Sequence, residues 1–471
     1  MTLEQFVIAA QWIFLLFFVA LNGGYLLLNL VSLRSLVRYM DVRGINLYQD
    51  MYTRLEPPVS ILVPAYNEAS TIAASLRALL QLNYSEFEII VINDGSKDDT
   101  LGTLLKEFGF EPFPGACRVS LPTANVRGLY LSRHYPNLRL VDKENGGKAD
   151  ALNAGINAAR YPLFCAVDAD SILQRDSLQR IVKPVMDDPS VVACGGTIRI
   201  VNGCQVDGGY LVKTGLPRSL LVRFQLIEYL RAFLFGRLGW APMNALLIIS
   251  GAFGVFRKDA VIDVGGYRTD TVGEDMELIV RMHRLRRAAG KPCLITFVPD
   301  PICWTEAPES LRVLKTQRIR WQRGLSESLW MNRDLLFHKE GSAAGWIAFP
   351  FMLFFEWAAP LIEITGYVFT VLAYLFGFIA LEVLAVFLFV ALGLGLLLSV
   401  SALLLEEMSF HVYTCPGDTL KLFAAAVLEN FGYRQLIALW RLRGLWQWFR
   451  RRRGGWGRMT RKGHWQQKEG G

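Results

Sequence analysis

Two kinds of apolar pattern divide this chain. The first is unbroken hydrophobicity. No charged residue falls between Phe6 and Leu33, a run longer than the roughly 20 apolar residues that cross a bilayer. Residues 345–405 form a second block, interrupted only by Glu356, Glu363 and Glu382. It predicts at least two helices, over 345–379 and 383–405. Residues 420–442 are apolar as well, but Glu429, Asn430 and Arg434 predict an amphipathic or channel-facing helix there.

The second kind of pattern lies between these blocks, over about 56–340, where short β-branched runs alternate with helical spacing. Residues 59–64 (VSILVP) form a continuous apolar run, as expected of a strand buried on both faces, and 87–93 (FEIIVIN), 138–141 and 163–167 (LFCAV) read as further strands. Residues 69–81, 98–108 and 148–159 separate them at helical period. A β-α-β-α-β-α-β order predicts an α/β domain with a doubly wound, mostly parallel sheet. Such sheets bind ligands at the carboxyl ends of their strands. Residues 109–133, rich in Pro, Gly and Arg, read as an inserted loop, and 218–237 as an interfacial helix carrying Arg223, Arg231 and Arg237.

Composition supports the membrane reading. Of 471 residues 52% are hydrophobic and 20% charged, which excludes a disordered chain or a small disulfide scaffold. Fifty Lys/Arg against 42 Asp/Glu give a net charge of +8, the kind of excess that can mark a nucleic-acid partner. Its distribution argues against one. Residues 441–471 hold ten basic side chains and one acid, Glu469, so the tail carries +9 and the remainder −1. The tail is interleaved with Trp446, Trp448, Trp456 and Trp465, which fits an anionic membrane surface.

The first apolar run is too long for a signal peptide and lacks its basic lead. Arg34, Arg38 and Arg43 follow it, which puts the central region on the cytoplasmic side. A cytoplasmic tail then requires an even number of crossings after that region. Glu356 and Glu363 are either bundle-interior groups with partners or interfacial residues. Seven scattered cysteines and five histidines show no disulfide or zinc spacing.

Polar residues gather where the predicted strands end. After the first come Tyr66 and Glu68, suited to stacking on a base and accepting from a ribose, or to a plain loop and helix cap. After the second, Asp94-Gly95-Ser96 suits a uracil or ribose, or an ordinary turn. Asn145-Gly146-Gly147-Lys148 sets two glycines and a lysine at a strand-to-helix junction, where backbone N–H groups favour an anion. The spacing is not that of a P-loop. Asp168-Ala169-Asp170 follows the fourth run, and two such carboxylates can hold Mg²⁺ or Mn²⁺. Further on lie a small-residue turn with Ser250 and Gly251, the acids Glu274 and Asp275 opening a helix, and Gln317-Arg318-Ile319-Arg320-Trp321.

The ordered set of Asp94, Asp168-x-Asp170, Glu274-Asp275 and Gln317-x-x-Arg320-Trp321 resembles the processive, membrane-integrated family 2 glycosyltransferases that make cellulose, hyaluronan, chitin and poly-N-acetylglucosamine. It is nearest to bacterial poly-N-acetylglucosamine synthases. The resemblance covers roughly 56–335 and the flanking apolar helices. It implies a GT-A fold and inverting transfer of a hexose or N-acetylhexosamine from a UDP-sugar, with UDP-GlcNAc or UDP-Glc favoured, to a growing β-linked polysaccharide. It also implies a bacterial cytoplasmic membrane, export of the product, and accessory export subunits. By this resemblance Tyr66, Glu68, Asp94, Lys148 and Asp168 bind the nucleotide sugar, and Asp168 and Asp170 the metal. Asp275 is the general base beside Glu274. Gln317, Arg320, Trp321, Ser250 and Gly251 hold the diphosphate and acceptor. One departure is Gly273, where the named synthases usually carry Thr.

The expected organisation is an N-terminal membrane helix (1–40), a cytoplasmic catalytic domain (41–335), membrane and interfacial helices (336–442) and a basic tail (443–471). Transfer of one sugar to a lipid, or an inactive sugar-nucleotide-binding subunit, are the competing readings.

Overall fold

A computed structural model describes residues 2–50, 56–115, 118–413 and 415–450, without the side chains of 42–50 and 301. Most of the basic tail, including Trp456 and Trp465, lies outside the described residues.

Among the described residues twelve strands form: β1 (Val59–Ala65), β2 (Phe87–Asp94), β3 (Phe110–Pro112), β4 (Val126–Ser132), β5 (Leu138–Lys143), β6 (Leu163–Val167), β7 (Ile172–Leu173), β8 (Val191–Ile200), β9 (Gln205–Asp207), β10 (Tyr210–Lys213), β11 (Phe253–Arg257) and β12 (Leu294–Thr305). Ten of them make one sheet in the order β3-β4-β5-β2-β1-β6-β11-β8-β12-β7, and β9 and β10 form a separate hairpin. The parallel centre β5-β2-β1-β6 is the set of runs read from the sequence. Only β4, β7 and β11 oppose the common direction. The sheet is therefore mixed and mostly parallel. Its central strands are mostly apolar and almost entirely buried, so nothing in them needed to alternate, and the polar side chains of Ser60, Glu88 and Arg139 bond to one another.

One expectation is corrected. The segment 109–133 is not simply a loop, because β3 and β4 add antiparallel strands to the β5 edge. An edge strand faces solvent on one side and carries no continuous apolar run, so it escaped the pattern. The turn around Ser250 leads directly into β11, which fills the gap between β6 and β8.

Among the described residues two helices, Leu3–Asp41 and Leu381–Ser409, are long and apolar enough to cross a membrane. Ala344–Trp357 and Ala359–Leu375 are bent by 43° at their junction and make a third span if taken together. Pro360, which has no N–H to donate back along a helix, stands beside that break. These helices mark the protein as membrane-associated. Residues 420–442 are not one span: Pro416–Leu428 and Tyr433–Phe449 are separate helices, with Gly432 at φ 108° between them.

The apolar helices pack against the sheet domain through buried polar links. Arg199 of β8 pairs with Glu406, and Arg231 with Glu429. Glu356 accepts from the Tyr25 hydroxyl and pairs with Arg441, which settles its alternatives in favour of a partnered interior group.

Candidate functional site

The first two strand ends interlock. Asn67 adopts a left-handed φ of 57°, a conformation asparagine tolerates better than most residues. Its N–H donates to Ser96 Oγ at 3.0 Å, and its Oδ1 accepts from the Lys97 N–H at 2.8 Å. This holds Tyr66, 43% exposed, and Glu68 on the wall of a large cavity. Asn67 was missed because its role depends on a backbone angle and a partner thirty residues away.

At the end of β2, Asp94 is buried and its carboxylate is fully engaged. It accepts from Lys143 Nζ at 2.6 Å, the Gly146 N–H at 2.9 Å and the Gly147 N–H at 2.8 Å. The anion-favouring glycine turn therefore exists, but the anion it holds is Asp94. The anion expected at this junction is supplied by the protein itself. Lys143 is fully buried and also pairs with Asp150 at 2.6 Å.

Lys148 opens the next helix and reaches across the cavity floor. It pairs with Asp168, and its Nζ donates to the Gly251 carbonyl at 3.0 Å. The Gly251 N–H in turn donates to Asp275 Oδ2 at 3.2 Å. One residue, Gly251, thus links the lysine to the predicted base through its carbonyl and its N–H. Burial works against the charge on Lys148. Asp168 first, then Glu274 and Asp275, outweigh it and hold its pKa above that of an ordinary lysine. Glu274 is buried beside Asp275, and burial and then that neighbouring charge push it up to about 7, against Lys148 and Arg320.

Arg237, read as part of an interfacial helix, lines this cavity on a π-helical turn and feels the charge of Asp275. Burial pushes its pKa down to about 10. No sequence pattern signalled it, since the turn brings it in from a different element.

The Glu274–Ala288 and Leu311–Met331 helices are tied at their ends. Glu327 accepts from Thr271 Oγ1 and the Val272 N–H, both at 2.9 Å, and Ser328 Oγ donates to the Gly273 carbonyl at 3.3 Å. Gln317, Arg320 and Trp321 all line the cavity. The Trp321 ring packs on Arg318, 4.2 Å from its centre, and Arg318 pairs with Glu228 at 2.7 Å. Trp330, Trp346 and Trp357 do not line this cavity.

The cavity measures about 1380 Å³ and is continuous. It runs from Tyr66 and Asp168, past Asp275 and Trp321, to Tyr25, Glu356 and Glu363 among the apolar helices. Every sequence-predicted site residue except Gly146 thus lines one space.

Among the described residues, no group of three or more His, Cys, Asp or Glu side chains gathers as a metal cage. Asp168 and Asp170 both line the cavity. A hard divalent ion held by one or two carboxylates takes its remaining ligands from water and substrate phosphates, and this pair fits that mode.

Residues 60–263 match Glycosyl transferase family 2, and residues 163–400 match Glycosyl transferase family group 2. The chain is 32% identical over 274 residues to the poly-beta-1,6-N-acetyl-D-glucosamine synthase of Staphylococcus aureus (strain COL), covering 58% of this chain and 55% of that protein. It is 30% identical over 272 residues to the synthase of the same name from Staphylococcus epidermidis, with the same shares covered. The matched segment thus spans about half the length of these curated relatives. A mannosyltransferase from Pyrobaculum calidifontis, solved in complex with GDP-Man and Mn2+, superposes with a TM-score of 0.51 at 19% identity, over 89% of this chain and 99% of that one. That likeness concerns the fold, which is of the GT-A type. With the second family match reaching across half of its length, the chain belongs to the family 2 glycosyltransferases.

Proposed function

We propose that this protein is an inverting, membrane-embedded synthase that transfers N-acetylglucosamine from UDP-GlcNAc to a growing β-linked polysaccharide and guides the product toward the bilayer. The observation that carries this reading is the single cavity running from the strand-end carboxylates to the apolar helices. The staphylococcal relatives, whose names state that polymer, support the choice of sugar.

Inversion needs one in-line displacement: an acceptor hydroxyl attacks C1 as UDP leaves. In this reading Asp275 takes the hydroxyl proton, a contribution of typically 10²–10⁴-fold for general-base catalysis. The Gly251 N–H fixes the orientation of its carboxylate. Tyr66 and Glu68 hold the uridine. Lys148 and Arg320 sit where cations can meet the diphosphate charge, and Gln317 and Trp321 hold the acceptor end. Asp94 acts by shaping the turn that presents Lys148. Asp168 and Asp170 would hold Mg²⁺ or Mn²⁺, which supplies charge stabilisation to the leaving diphosphate.

The membrane arrangement belongs to the same proposal. The catalytic domain lies on the cytoplasmic face of a bacterial inner membrane, as Arg34 and Arg38 after the first apolar helix favour. The organisation is that of the four segments 1–40, 41–335, 336–442 and 443–471, with two crossings after the catalytic domain. Accessory subunits would act on the exported product. A screen of UDP release across UDP-GlcNAc, UDP-Glc, UDP-Gal and UDP-GlcA, with Mg²⁺ or Mn²⁺, tests the donor. Strongest release with UDP-GlcNAc is expected, and release with none of them would remove the proposal.

A further inference from the structure

We propose, resting on the transferase reading, that Arg441 is a positioning residue that holds Trp321 and the acceptor side of the cavity in place. The Tyr433–Phe449 helix lies against the Leu311–Met331 helix at near-backbone contact. Gly444 makes that approach possible, because a Cβ there would stand 2.8 Å from the Ile319 carbonyl oxygen and 2.9 Å from Gln322 Cβ. Three residues earlier, on the same helix face, Arg441 donates from Nε to Gln322 Oε1 at 2.7 Å. Its Nη2 donates to the Glu356 carbonyl at 2.5 Å and to the Glu356 carboxylate at 2.9 Å.

Gln322 passes the link on. Its Nε2 donates to the Trp357 carbonyl at 3.2 Å, and Trp357 Nε1 donates back to Ser326 Oγ at 3.0 Å. One guanidinium therefore joins the last described helix, the helix bearing Gln317 and Trp321, and the 43° break between the apolar helices. Gln322 directly follows Trp321, and Arg441 and Glu356 line the membrane end of the same cavity. An ion pair serving stability alone would need only Glu356. The second arm of the fork, onto Gln322, acts on the neighbour of the acceptor tryptophan. A planar fork of fixed geometry makes both bonds at once, and a lysine cannot.

The test uses the purified full chain with UDP-GlcNAc, comparing Arg441→Lys, Gln322→Ala and the double variant with wild type. Arg441→Lys keeps the charge opposite Glu356. It should melt close to wild type, with unchanged UDP affinity by calorimetry and unchanged donor KM. Its kcat should fall by about 10- to 100-fold, the order expected of a misplacement near 1 Å. Gln322→Ala should show the same split, and the double variant should be no worse than the worse single. The inference is overturned by a wild-type kcat in Arg441→Lys, by kcat, UDP affinity and melting temperature falling together, or by single losses that multiply. A wild-type protein that neither binds nor releases UDP would overturn the transferase reading itself, and this inference with it.

Discussion

Gly273 and Gly324 pack backbone to backbone. A Cβ on Gly273 would lie 2.8 Å from Gly324 Cα, and one on Gly324 would lie 2.9 Å from Gly273 Cα. The loop carrying Glu274 and Asp275 is thereby seated on the helix carrying Gln317 and Trp321. This accounts for glycine at both positions. Alanine at 324 would gain about 1 kcal/mol of helix propensity, but the atoms it meets are backbone and cannot rotate away. Overpacking of this kind costs about 1–3 kcal/mol. Gly324→Ala and Gly273→Thr should each therefore destabilise the protein and lower UDP release by at least about tenfold. Thermal melting and steady-state turnover check both effects, and wild-type turnover in either variant would show that the contact is dispensable.

Asp94 holds a buried turn, so its loss should be felt in stability as well as in donor binding. Asp94→Ala removes one of two carboxylate partners of the fully buried Lys143 and the acceptor for two glycine N–H groups. Breaking a buried pair from one side costs about 3–5 kcal/mol, and Asp150 keeps the effect at the low end of that range. A chemical melt of the variant should show it. An unchanged melt with weakened UDP binding would mean that Asp94 acts on the nucleotide directly.

Glu274 gives a pH signature with a definite sign. Its pKa is raised by burial and by Asp275 to about 7 from an ordinary 4.5. Between those values the folded protein keeps a proton that the unfolded chain has lost, so this group's contribution to stability falls as pH rises and is fully lost above about 7. Glu274→Gln stays neutral at every pH. It should melt close to wild type near pH 5 and at a higher temperature than wild type at pH 8. Melting curves of the two proteins across that range are the check; a constant difference would place the titration elsewhere.

Divalent ions should control the reaction through the Asp168–Asp170 pair. A chelator should abolish UDP release, and Mn²⁺ or Mg²⁺ should restore it. Asp170→Asn should raise the metal concentration needed for half-maximal rate without altering the melt in chelator, since only one of two carboxylates remains charged. Full activity in chelator would argue that Lys148 and Arg320 suffice for the diphosphate.

The parallel centre of the sheet was readable because its strands are buried on both faces and so are mostly apolar. The strands beyond it were not. Val191–Ile200 contains Gly195, Gly196 and Arg199, which look like loop residues until their surroundings are known. A Cβ at Gly196 would strike Phe253 at 2.6 Å, and Arg199 is neutralised by Glu406, two hundred positions later. The carboxylates and the Gln317-x-x-Arg320-Trp321 set were legible from residue type and order. What they touch was not. That the Gly146–Gly147 turn is filled by Asp94, that Arg237 lines the same cavity as Asp275 and that Arg441 reaches Gln322 are facts of tertiary structure, which no local pattern records.

The most direct test of the account is the product made from radiolabelled UDP-GlcNAc by the purified protein in lipid nanodiscs, sized on a gel and compared with Asp275→Asn. The account predicts a ladder extending to high-mass polymer with stoichiometric UDP release, and neither in the Asp275→Asn protein. A lipid carrying one sugar, or undiminished turnover in Asp275→Asn, would contradict it.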